Sequence, residues 1–183
     1  MFHKILVAID QSEVSQRAFE TAIAMAKALH SHLMLINVLS PFEADYPSPV
    51  FSMDAIRPTL NTDVVQGHLR QWQLVEQQGL EFLKVKTDQA TAAGIPTEFT
   101  QALGDPGHAI CTLARTWEAN LIIIGRRGYK GLGELFIGSV SNYVTHHAPC
   151  SVLTVQGAVD LEPPQPIAEA PDETPGYDVR DDE

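Results

Sequence analysis

Apolar residues fall along this chain in short runs of strand length, separated by stretches of helical period. Residues 5–9 (ILVAI) form a continuous apolar run closed by Asp10, and residues 33–39 (LMLINVL), apolar except at Asn37, form a second strand. Runs apolar at every position, rather than at alternate ones, mark strands covered on both faces. Between them Ser12 is placed to cap a helix whose stripe is Ala18, Ala22, Met25 and Leu29, with Phe19, Ile23 and Ala26 beside it. Residues 40–63 hold Pro41, Pro47, Pro49 and Pro58 with little periodicity and are expected to be an irregular insertion, a lid or binding loop. A long polar helix follows from Val64 to Ala93, with Leu69, Trp72, Val75 and Leu83 as expected core contacts and Gly94 as its stop.

Residues 95–100 (IPTEFT) make a weaker strand, with Pro96 pointing to a strand start or sheet edge. Asp105 and Pro106 open the next helix as N-cap and first helical residue, and Ile110, Leu113, Ala114 and Trp117 give its buried stripe. A strand over Leu121–Ile124, a glycine-rich loop, a helix from Gly138 to His147 and a strand over Ser151–Val155 complete the series. Strands alternating with helices argue for a parallel α/β sheet with right-handed crossovers.

The candidate chemistry lies in the glycine loop. Gly125, Gly128 and Gly138 are spaced G-x2-G-x9-G, and Ser139 follows at once. Glycine lets backbone amides approach a ligand closely, and a helix opening at Gly138 adds unpaired N–H groups and a positive dipole end. The expected ligand is a phosphate. Open α/β sheets bind ligands beyond the carboxyl ends of their strands, so Asp10 and the glycine loop face one crevice if their strands are neighbours. A carboxylate there can accept hydrogen bonds from ribose hydroxyls, although Asp10 taken alone reads as a turn or cap residue. Neither a P-loop nor a dinucleotide fingerprint is present, since no glycine follows the first strand.

Together these residues resemble the universal stress protein family. The signature G-x2-G-x9-G-[ST] is met by Gly125, Gly128, Gly138 and Ser139, and residues 4–10 (KILVAID), 104–106 (GDP), 119–124 (ANLIII) and 147–153 (HAPCSVL) add to it. The resemblance covers residues 1–156. It implies an adenine-nucleotide alpha-hydrolase-like fold: an open five-stranded parallel sheet of order 3-2-1-4-5 with helices on both faces. It further implies ATP or another adenine nucleotide as ligand, with or without Mg²⁺. Asp10 would then meet the ribose, with Ala8 beside it at the end of the first strand. Main chain at Val38 would hold the adenine, and Gly125, Arg127, Gly128, Gly138, Ser139 and Val140 the phosphates. It also implies a homodimer through the last strand, Ser151–Val155. Asn120 stands where an Asp is frequent and Arg126 where a small polar residue is common. With Arg127 and Lys130, Arg126 makes the loop more basic.

Charge and composition narrow the rest. The chain has 183 residues and a formal charge of −11, yet residues 160–183 carry nine acids and one base, leaving −3 on residues 1–159. Residues 1–159 are therefore read as one domain and residues 160–183 as an acidic, proline-rich disordered tail, solvated or held by a protein partner. A duplex nucleic-acid binder would need a basic surface, and no stretch is long enough to span a bilayer, so the expected location is the cytoplasm. The two cysteines, Cys111 and Cys150, make neither a disulfide framework nor a zinc pattern. His146 and His147 read as structural, at a helix end where a cation favours the dipole. His108 and Cys111 share a helical face, but two ligands do not make a metal site. No paired carboxylates stand beside the glycine loop, so the expected mechanism is nucleotide-dependent switching in a stress or signalling role. A slow Mg²⁺-dependent ATPase and a nucleotide-free dimeric scaffold are the alternatives.

Overall fold

The structure is a computed structural model and describes residues 2–41, 62–126 and 138–157. In chain order the elements are β1 (Lys4–Ala8), α1 (Glu13–Leu29), β2 (His32–Leu39), α2 (Thr62–Ala92), β3 (Thr97–Leu103), α3 (Pro106–Thr116), β4 (Leu121–Arg126), α4 (Ser139–His147) and β5 (Ser151–Gln156). The five strands form one sheet of order β3-β2-β1-β4-β5, and every pairing is parallel. The winding direction reverses between β1 and β4.

Alternation along the apolar strands divides the core in two. Ile5, Val7, Leu33, Leu35, Leu121 and Ile123 pack with Ala18, Phe19 and Ala22 of α1 and with Leu83 and Ala90 of α2. Leu6, Met34, Ile36, Ile122 and Ile124 pack on the opposite face with Ile110, Cys111 and Ala114 of α3 and Val144 of α4. Both faces of β1 and β4 are covered, which is why these strands carry no polar alternation.

Local signals set the helix ends. Ser12 Oγ accepts from Ser15 N–H at the start of α1, and Asp105 Oδ1 accepts from His108 N–H at 2.7 Å at the start of α3. Gly94 stops α2, where Ile95 N–H reaches back to Ala90 C=O at 3.1 Å. Asn120 Oδ1 accepts from His3 N–H and Lys4 N–H at 3.1 and 3.0 Å, which ties the start of β1 to the turn before β4.

Some expectations need correction. Leu69 is 57% exposed and makes no part of the core. Gly79 sits against Asn37 and Gln101 near the carboxyl ends of β2 and β3. Leu69 lies ten residues earlier in α2, about 15 Å further along at ~1.5 Å per residue, beyond the last sheet pair at Leu39 and Leu103. The apolar period of α2 continues, but the sheet beneath it does not. Trp117 is the C-cap of α3 and, like Leu113, is half-buried against the Ile110, Cys111 and Ala114 cluster as expected, with Lys4 Nζ 5.3 Å from its ring centroid. The stripe also takes in Gly107 and Cys111 with Ile110 and Ala114. The third strand begins at Thr97, after Pro96, and runs to Leu103.

Candidate functional site

Five segments converge beyond the carboxyl ends of β1, β2 and β4: the turn into α1, the end of β2, the middle of α2, Pro106 at the start of α3, and the start of α4. They enclose an open cleft of about 680 Å³, within the range of small-molecule sites. Its place at the reversal of winding follows from topology, because crossovers leave on opposite faces there and the strand ends stay uncovered.

Of the residues singled out in the sequence, Ala8, Asp10, Val38, Gly125, Gly138, Ser139 and Val140 all line this cleft. Arg127, Gly128, Lys130 and Glu134 lie outside the described residues, as do most of the irregular insertion (42–61) and the acidic tail. Arg126 is half-buried at the end of β4, in register with Gln156, and is not among the residues lining the cleft.

Asp10 organises the turn it stands on. Its backbone N–H donates to Ser15 Oγ at 2.7 Å, while Ser12 N–H donates to Asp10 Oδ1 at 2.8 Å and the Ser12 hydroxyl donates to the same oxygen. Ser12 in turn caps α1. The turn-residue reading of Asp10 is thus correct, and it coexists with a position in the cleft wall. Among the described lining residues Asp10 carries the one charged side chain.

The two glycines of the signature that are described differ in what they do. A Cβ on Gly125 would lie 2.8 Å from Val14 Cγ1 and 3.1 and 3.2 Å from backbone atoms of Val14 and Ser15. Gly125 is therefore demanded by the approach of α1 to β4. Among the described residues a Cβ on Gly138 would meet Ser141 Oγ alone, at 3.7 Å, an ordinary contact. Gly138 is the N-cap of α4 and makes no side-chain capping bond, so the first amides of α4 have no side-chain acceptor there. Ser141 does not compensate, since its hydroxyl donates to Gly138 C=O at 3.0 Å.

The α2 wall was not legible as part of a site. Val75, Gln78, Gly79 and Phe82 line the cleft together with Asn37 and Val38. The one available signal was Gly79 itself, an isolated glycine inside a helical period. The remaining candidates fall elsewhere. His147 stacks on Tyr143 with centroids 4.0 Å apart and places Nδ1 2.8 Å from Tyr143 C=O, a structural role at the end of α4. Cys111 is buried while His108 is exposed, so the two form no site. Burial pushes the thiols of Cys111 and Cys150 above their ordinary range. No described helix is long and apolar enough to cross a membrane.

Comparison with known proteins agrees with this geometry. The model of the family described as "Universal stress protein family" matches residues 1–156. Universal stress protein Sll1388 of Synechocystis is 37% identical over 163 residues, covering 85% of this chain and 98% of that protein. The solved structure of universal stress protein UspA from Lactobacillus plantarum superposes with a TM-score of 0.63 at 22% identity, over 84% of this chain and 97% of that one. An Arabidopsis thaliana universal stress protein family protein, solved with AMP bound, superposes with a TM-score of 0.54 at 21% identity, over 89% and 97% of the two chains. At these identities the solved structures speak to the fold alone, a parallel α/β sheet with helices. The family match and the curated relative reach further, and on them the chain belongs to the universal stress protein family.

Proposed function

We propose that this protein binds an adenine nucleotide in the cleft between β1 and β4 and works as a nucleotide-dependent switch. The observation that carries this reading is that Asp10 and the start of α4, whose N-cap Gly138 offers no side-chain cap, line one cleft. Gly138, Ser139 and Val140 offer amides and a hydroxyl to phosphate oxygens at the positive end of a helix dipole. Arg127 and Gly128 are assigned to the same phosphates. Asp10 and Ala8 serve the ribose, and the Val38 main chain serves the adenine edge, between the apolar groups of Val75 and Phe82. The related fold of the Arabidopsis protein with AMP bound supports the nucleotide class. Asp10 is the one carboxylate among the described lining residues, so Mg²⁺ accompanying a triphosphate would be held chiefly by the phosphates.

Signalling then follows from occupancy, read by partners at the surface around residues 125–138. A homodimer formed along β5, an edge strand of the sheet, is part of the same proposal. Photolabelling with 8-azido-ATP and peptide mapping test the binding mode. Label is expected on the end of β2 or on Val75–Phe82 of α2, and competed by ATP. Label confined to other peptides, or untouched by excess ATP, would count against it.

A further inference from the structure

The last register pair between β1 and β2 is Ala8 with Ile36, followed by a final backbone bond from Ile9 N–H to Ile36 C=O at 2.9 Å. Beyond it a side chain carries the connection. Asn37 is 6% exposed, and its Nδ2 donates to Ile9 C=O at 2.9 Å. A carbonyl can only accept, so this bond fixes which way the Asn37 amide points. Its Oδ1 then faces Gln101 Nε2 of β3 at 3.4 Å. Gly79 of α2 makes room for the pair, because a Cβ there would fall 2.0 Å from Gln101 Nε2 and 3.1 Å from Asn37 Oδ1. Asn37 thus bridges Ile9, the residue before Asp10, and Gln101 of β3, and Val38 follows it directly in sequence.

We propose that Asn37 is a positioning residue for the nucleotide. Its amide fixes the distance between the turn carrying Asp10 and the strand end carrying Val38, so that ribose and base are met at once. This rests on the nucleotide reading above. The physical basis is that a buried donor–acceptor pair holds one geometry, whereas loss of the donor leaves the Ile9 carbonyl seeking another partner and frees the turn to move. Because Asn37 acts through Asp10, its removal affects recognition of the ribose and not binding strength alone.

The test uses Asn37→Asp, near-isosteric but without the donor, and Asn37→Ala, which avoids a buried charge where the first variant fails to fold. Affinities for ATP and 2′-deoxy-ATP are measured by calorimetry, alongside amide hydrogen exchange over Asp10–Ser12. Asp10→Ala serves as the reference for lost ribose recognition. The wild type is expected to prefer ATP, and the Asn37 variants to lose that preference as Asp10→Ala does, with faster exchange at Asp10–Ser12 and unchanged exchange at Leu6 and Ile123. Variants that keep the wild-type ratio overturn the proposal, as does unchanged exchange at the turn. A wild type that binds neither nucleotide overturns the nucleotide reading itself and the ligand role of Asn37 with it, while the exchange result still decides whether Asn37 braces the turn.

Discussion

A Cβ placed on Gly125 would sit 2.8 Å from Val14 Cγ1, with backbone atoms of Val14 and Ser15 close behind. The first glycine of the signature is therefore a packing residue, holding the capped end of α1 against β4. Gly138 is different, since its φ of −51° and ψ of 146° suit any residue and, among the described residues, Ser141 Oγ alone stands near. Gly125→Ala is expected to destabilise the fold by ~1–3 kcal/mol through overpacking against backbone. Gly138→Ala is expected to cost under ~1 kcal/mol, the scale of a weaker N-cap. Urea denaturation of the two variants checks the difference. Equal losses would remove the distinction between a glycine kept for packing and one kept for a ligand.

Two leucines of α2 offer a second contrast. Leu83 is fully buried among Val7, Leu35 and Phe19, whereas Leu69 is 57% exposed. Leu83→Ala is expected to cost ~2–5 kcal/mol, the range for a buried leucine, and Leu69→Gln to stay within ~0.5 kcal/mol. Thermal or urea unfolding decides. A large loss for Leu69→Gln would mean that the extended part of α2 is packed in solution.

The cysteines give a pH dependence whose sign can be stated. Burial raises the Cys111 thiol above its ordinary value of 9.0, with Arg115 opposing in part. Burial raises Cys150 too, and the neighbouring Cys111 adds to it. The unfolded chain thus loses these protons first as pH rises, so that above pH 9 it binds fewer protons than the folded chain. The stability contributed is fully present below about pH 9 and is lost as pH climbs through the raised values. Denaturation midpoints are expected to be level between about pH 7 and 8 and to fall by about pH 10, less steeply in Cys111→Ala. A midpoint that rises with alkaline pH would contradict the burial of these thiols.

Much of the fold was legible because its signals are local. The apolar runs of β1, β2 and β4, the caps at Ser12 and Asp105, and the stop at Gly94 each depend on a few adjacent residues. The spacing of Gly125, Gly138 and Ser139, with Asp10 at a strand end, likewise marked residues that the topology brings into one cleft. What failed depended on distance in space. Leu69 continues the period of α2, and no periodicity reveals where the sheet beneath a helix ends. Asn37 looked like a polar break in an apolar strand, and its partners Ile9 and Gln101 emerge only once three strands are side by side. The reason for Gly125 was hidden in the same way, because the crowding comes from α1.

The central claim, an adenine nucleotide held between Asp10 and the start of α4, is tested most directly by calorimetric titration of the purified chain with ATP and AMP. GTP serves as the control base and Gly138→Ala as the control protein. The expected result is saturable binding of adenine nucleotides at one site per chain, with GTP weaker and the folded variant weaker by about tenfold or more, or ~1.4 kcal/mol. Absence of binding by the folded wild type at millimolar ATP and AMP, or equal affinity in Gly138→Ala, would contradict it.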